Sequence, residues 1–132
     1  MSTDRLSNMV SSIKNASMAK KNAVEIPYSI ECEKVAQILK KRGFLNEVKL
    51  FKPEKSHEKM IHLGLSEVDG AYVVTDARRV SKPGRRIYKG YKELKPSWGR
   101  FGLLVVSTPK GIMDSVEARK KKLGGEVLCE IF

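Results

Sequence analysis

An α/β (α+β) fold in two small domains is predicted by three features of this 132-residue sequence. Apolar side chains recur at helical spacing near the start and again after residue 29. They then alternate at the spacing of paired strands, and past residue 70 turn residues break the chain into short strand-like runs with a single late helix.

The first element rests on Leu6, Met9, Val10, Ile13 and Ala16, which share one helix face. Ser2 and Thr3 are good N-caps and Asp4 suits the positive end of the helix dipole, so a helix over about 3–20 is expected. Residues 25–28 read as a short strand. Ser29 then caps a helix whose Val35, Ile38 and Leu39 face inward, and Lys40, Lys41, Arg42 and Gly43 end it as cations and a C′ glycine should. Leu45, Val48 and Leu50 face Ile61, Leu63 and Leu65 as a hairpin joined by the polar stretch 52–59, which holds Pro53. The pattern breaks at 67–70, which predicts an N-terminal domain over 1–68 (helix, strand, helix, hairpin) and a C-terminal, mostly stranded domain over 69–132. The helix of the second half is expected at about 114–122.

Charge narrows the function. There are 26 basic and 15 acidic residues, a formal net charge of +11, which predicts a polyanionic partner. Residues 1–68 hold 12 basic and 8 acidic side chains and residues 69–132 hold 14 and 7, so the second half is the more positive. No apolar run approaches the ~18 residues of a membrane span and no export segment follows the first basic residues, so a soluble, cytoplasmic protein that does not enter a membrane is expected. Cys32 and Cys129 stand far apart without a C-x-x-C partner, and with only His57 and His62 they make no zinc pattern; two reduced, half-buried thiols are expected, and no metal or cofactor. Asn15-Ala16-Ser17 matches a glycosylation acceptor but falls inside the first helix and is set aside.

Arg78, Arg79, Lys82, Arg85, Arg86 and Lys89 crowd around Ser81-Lys82-Pro83-Gly84, whose Pro-Gly pair fits the centre of a type II turn. A basic hairpin is expected. A solvated charged face is the commoner explanation of such runs, yet almost no carboxylate is interspersed, which favours phosphate contact. Tyr72, Tyr88, Tyr91, Trp98 and Phe101 could stack on unpaired bases, although most such rings serve packing. Tyr88, two residues past the Arg pair, is the one expected to reach RNA.

Ser107-Thr108-Pro109-Lys110-Gly111-Ile112-Met113 follows the apolar run 103–106 and precedes the late helix, so a short exposed loop is expected there. Ser107 and Thr108 offer hydroxyls to bases or riboses, Lys110 an ammonium to phosphate, and Gly111 close backbone approach. A phosphate on the helix N-terminus itself is rejected, because Asp114 and Glu117 have capping-box spacing and would repel it. Arg119, Lys120, Lys121 and Lys122 offset the dipole at the helix end, which explains much of the run, with extra RNA contact as the alternative, and Gly124-Gly125 is read as its stop. Glu126 opens a last strand in which Val127, Cys129 and Ile131 alternate; it is either an ordinary polar residue at a strand start or an acceptor of a hydrogen bond from a loop hydroxyl or an exposed base. An RNA-processing enzyme would need a poised acid-base pair, a metal cage or an activated nucleophile, and no motif supplies one.

The stretch 107–113, then Glu117-Ala118-Arg119-Lys120 and Gly124-Gly125-Glu126-Val127-Leu128-Cys129, resembles the bacterial-type small-subunit ribosomal protein eight family. The likeness extends through Asp4-Arg5-Leu6, Asn15-Ala16, Pro27-Tyr28-Ser29, Gly43-Phe44 and Arg79-Val80-Ser81-Lys82-Pro83-Gly84 with Ile87-Tyr88. It implies two small α/β domains, a non-catalytic place in the small subunit beside other ribosomal proteins, and early binding to an irregular internal loop in the central domain of small-subunit rRNA. It also implies RNA contact by the loop matching 107–111, by Tyr88 and Glu126, and by the N-terminal Thr3 and Asp4. Some family members bind the messenger of their own operon with the same surface and repress its translation, which is the alternative function here. Many relatives carry serine where this chain has Pro109, which offers neither a hydroxyl nor a backbone donor. The stretch 92–102, with Trp98 and Arg100, also departs from the family, and no role is carried over to it.

Overall fold

Residues 4–55, 57–96 and 102–132 are described by a computed structural model of the protein, an α+β arrangement. Helix α1 spans Arg5–Met18 and is capped by Asp4, whose carboxylate accepts from the Ser7 amide at 3.1 Å and the Ser7 hydroxyl at 2.6 Å. Asp4 is thus the cap itself and not a residue of the first turn, because its short carboxylate already reaches the orphan amide three residues on. The expected caps Ser2 and Thr3 lie outside the described residues. Leu6, Met9, Val10, Ile13 and Ala16 are all buried, as their spacing predicts.

Strand β1, Ala23–Pro27, leads to Ser29, whose hydroxyl accepts from the Cys32 amide at 3.0 Å and caps α2, Ile30–Lys41. Gly43, at φ +88°, turns the chain out of α2. The predicted hairpin forms from β2, Leu45–Phe51, and β3, Met60–Leu65, and the antiparallel sheet order is β1-β3-β2.

The break at 67–70 is a tight hairpin between β4, Glu67–Val68, and β5, Ala71–Tyr72. Its two turn residues, Asp69 (φ +53°) and Gly70 (φ +80°), adopt the left-handed conformation that matches strand twist. A second sheet follows from β6 (Ala77–Arg79), β7 (Tyr88–Lys89), β8 (Leu103–Thr108), β9 (Gly111–Asp114) and β10 (Gly125–Ile131), with helix α3 (Ser115–Lys120) before β10. The order is β6-β10-β8-β9, and β7 also pairs with β10.

Strand β10 departs from the expected alternation. Residues 127–131 are all buried, the ladder to β8 shifts register between Val127 and Cys129, and both faces of the strand are covered. On one face a large cluster joins α1, α2, β1 and β3 to Val74, Ala77, Leu103, Val105, Cys129 and Ile131. On the other, Leu94, Leu104, Val106, Met113, Ala118 and Val127 form a second cluster under α3. The first cluster runs across the break at 67–70, whereas the three-stranded and five-stranded sheets are each drawn from one side of it. Cys32 and Cys129 are fully buried in the first cluster and not half-buried as expected. Burial, opposed in part by Arg79, pushes the Cys129 thiol up to about 12.

Arg42, the residue that closes α2, makes a two-pronged ion pair with Asp114 at 2.8 and 3.1 Å. Asp114 also accepts from the Glu117 amide at 2.9 Å and so caps α3, as the capping-box spacing predicts. The C′ position after α3 is taken by left-handed Lys122 (φ +56°), so Gly124 and Gly125 do not end the helix. Among the described residues no helix is long and apolar enough to cross a membrane.

Candidate RNA-binding surface

Three strands bring the expected contact residues together. On β10, Glu126 pairs across to Tyr88 of β7 on one side and to Ser107 of β8 on the other. Cross-strand partners in register point to one face. Ser107 has the parity of Leu103 and Val105, so this row lies on the sheet face that the first cluster covers farther along β8.

Gly124 and Gly125 explain how the strands meet so closely. A Cβ on Gly125 would stand 2.1 Å from the Ser107 carbonyl oxygen, and one on Gly124 would stand 2.6 Å from the Lys89 carbonyl oxygen. The glycine pair is therefore a slot that lets β10 enter between β7 and β8, a role different from the helix stop expected from its position. Two adjacent glycines at a strand start are the sequence signal for such close approach.

Tyr88 is 70% exposed, with its ring facing solvent. Tyr72 donates its hydroxyl to Asn22 at 2.8 Å, and Tyr91 packs against the second cluster; both are packing rings, as most were expected to be. Trp98 and Phe101 lie outside the described residues, as does Thr3.

The basic segment is a hairpin only at its tip, where Lys82 and Arg85 form an isolated antiparallel bridge; its base is an excursion from the sheet. Its arms β6 and β7 run in the same direction, one after the other along the same edge of β10, and pair with β10 instead of with each other. Ser81, fully buried, closes the base of the excursion: its hydroxyl accepts from the Ile87 amide at 2.8 Å. At the tip, reciprocal Lys82–Arg85 backbone bonds of 3.0 and 2.9 Å flank Pro83 and Gly84 (φ +86°), the expected type II turn.

Folding also supplies the carboxylates that the local sequence lacks. Arg78 pairs with buried Glu130 at 2.7 Å, Arg79 stands 3.5 Å from Asp4, and Arg86 pairs with Glu126 at 3.1 Å. The Arg79 side chain is only 7% exposed and also donates to the Leu128 carbonyl. Burial raises the Asp4 carboxyl, but the Ser7 hydrogen bonds and the Arg79 charge outweigh it and hold the group below its usual range. Among the described residues no carboxylate pairs with Lys82, Arg85 or Lys89, which stay exposed.

The expected loop at 107–113 is mostly strand. Ser107 and Thr108 end β8, Gly111 begins β9, and only Pro109 and Lys110 form the turn. Gly111, at φ +117°, takes a backbone conformation that a side chain would strain. The Thr108 hydroxyl donates to the Gly111 carbonyl at 2.8 Å and accepts from the Lys110 amide at 3.2 Å, so it is spent on the turn. Ser107 is half-buried and Lys110 is exposed.

Among the described residues no group of three or more His, Cys, Asp or Glu is placed to hold a metal. The Ribosomal protein S8 family model matches residues 4–132. The chain belongs to that family. It is 41% identical over 132 residues to the small ribosomal subunit protein uS8 of Rhodopirellula baltica, which it covers to 99% with 99% of its own length. It is 38% identical over 130 residues to uS8 of Pelagibacter ubique, covering 98% of each chain. It is 35% identical over 132 residues to uS8c of Physcomitrium patens, covering 100% of each. Family membership thus agrees with the resemblance carried by 107–113 and 124–129. Of the expected contact residues, folding joins Tyr88, Ser107 and Glu126 in one row, puts Lys82, Arg85 and Lys110 at exposed turn tips, and turns Asp4, Arg79 and Thr108 to internal partners.

Proposed function

We propose that this ribosomal protein is a non-catalytic constituent of the small subunit whose C-terminal half, residues 69–132, binds an irregular internal loop in the central domain of small-subunit rRNA and supports its early assembly. The observation that carries the reading is the pairing of Glu126 with both Tyr88 and Ser107. The row offers three different recognitions side by side. The Tyr88 ring stacks on an unstacked base, the Ser107 hydroxyl bonds a base edge or a 2′-hydroxyl, and the Glu126 carboxylate, held by Arg86, accepts from a base amine. Lys82, Arg85, Lys89 and Lys110 meet phosphates around the row. Asp4, Arg78, Arg79 and Thr108 act one step back, by fixing the excursion and the turn.

A regular A-form duplex hides its base edges in a deep groove, so it can engage the cations but not the row. Hydroxyl-radical footprinting of the full chain on small-subunit rRNA tests the assignment. Protection centred on one internal loop of the central domain is expected, and protection spread evenly over helices would contradict it.

A further inference from the structure

A second cationic surface lies outside the row. The 3₁₀ turn Tyr91–Glu93 and helix α3 flank a groove lined by Tyr91, Lys92, Lys95, Val116, Arg119 and Lys120. Its anchor is Leu94, fully buried in the second cluster, against which Tyr91 also packs. On β8, Leu104 and Val106 face this cluster, whereas Ser107 has the opposite parity; on β10, Val127 faces it and Glu126 does not. The groove and the Tyr88–Glu126–Ser107 row therefore occupy opposite faces of the five-stranded sheet.

We propose that this groove is a second RNA-backbone site, so that the protein holds two RNA segments at once, one on each face of the sheet. The proposal rests on the reading of the chain as an RNA binder but not on the residues of the row. Charge complementarity chooses the occupant. Among the described residues four cations and no carboxylate line the groove; Glu117 pairs instead with Lys121 at 3.0 Å. The Lys92 ammonium stands 6.0 Å from the centre of the Tyr91 ring, and Val116 is 41% exposed on the floor, which suits the apolar edge of a ribose between phosphates. Three of the four cations are lysines, a residue depleted from protein–protein interfaces and frequent on phosphates. A nucleic-acid backbone fits this lining better than an acidic protein segment does.

The test uses the full chain saturated with an internal-loop rRNA fragment, into which a fluorescent regular RNA duplex is titrated while anisotropy is read. The duplex should bind without displacing the fragment. Arg119→Gln with Lys120→Gln should weaken duplex binding by about tenfold and lower its salt slope by about two, with fragment affinity unchanged. Lys92→Gln with Lys95→Gln, on the other wall, should do the same, and a thermal melt equal to the parent's shows that each pair is folded. Displacement of the fragment, or unchanged duplex affinity in both folded pairs, overturns the proposal. Tighter binding of poly-glutamate than of the duplex also overturns it, by assigning the groove to an acidic protein segment. Failure of the row is read on the other RNA, as unchanged fragment affinity in Tyr88→Ala.

Discussion

Six neighbouring cations from Arg78 to Lys89 divide into two groups once the chain folds. Arg78, Arg79 and Arg86 meet carboxylates from distant segments, and Lys82, Arg85 and Lys89 project from the excursion. The division predicts different phenotypes for similar substitutions. Lys82→Ala with Arg85→Ala should lower affinity for RNAs of any sequence and reduce the salt slope by about two, measured by titration across salt concentrations. Arg79→Ala should leave that slope alone and instead cost roughly 2–3 kcal/mol in a urea melt, because Asp4 loses the cation beside it and the Leu128 carbonyl loses a donor. Asp114 makes a second residue-level case. Burial raises its carboxyl, yet the Arg42 bonds and the Glu117 amide outweigh burial and hold it below the usual range. A carboxyl depressed in the folded state contributes stability above its unfolded value, about pH 4, and that contribution is lost as pH falls through the folded value. Stability measured from pH 6 down to 2 should therefore fall less steeply in Asp114→Asn than in the parent. The Asn variant should also be weaker at neutral pH by roughly 3 kcal/mol.

At the scale of elements, periodic segments were legible and close approaches were not. The stripe of α1, the Ser29 cap, the β2–β3 hairpin and the Asp114 cap follow from local spacing, which is where helix and hairpin signals reside. The basic segment is a hairpin only at the Lys82–Arg85 bridge, because pairing with β10, some forty residues on, competes with pairing between its arms and nothing local reports that. Gly124 and Gly125 were misread for the same reason. A helix stop and a strand slot both ask for glycine, and only the proximity of Ser107 and Lys89 decides between them. Gly125→Ala should therefore push β10 off β8 beside the row, costing about 3 kcal/mol and lowering internal-loop RNA affinity at least tenfold. Gly84→Ala, at an open turn with φ +86°, should cost only about 1 kcal/mol. Thermal melts with RNA titrations of both variants check the contrast.

Across the whole molecule, the two larger sheets share a core. The candidate row was legible as a list, since Tyr88, Ser107 and Glu126 were each singled out from residue type and family resemblance, but their adjacency depends on β10 standing between β7 and β8. Burial of Cys32 and Cys129 in one cluster likewise links segments almost a hundred residues apart. Both thiols should resist alkylation in the native protein and become reactive at the same urea midpoint, as a single cooperative unit requires. Distinct midpoints would mean that the halves open separately. The claim on which the function depends is more specific: one row on one sheet face prefers distorted RNA to regular RNA. It is tested by the ratio of affinities for the internal-loop fragment and a regular duplex of equal length, compared between the parent and a double variant, Tyr88→Ala with Ser107→Ala. We predict at least a hundredfold preference in the parent and about tenfold or less in the double variant, as loss of a stacking ring and one paired hydroxyl implies. Equal affinities for the two RNAs in the parent, or an unaltered ratio in the double variant, would contradict the account.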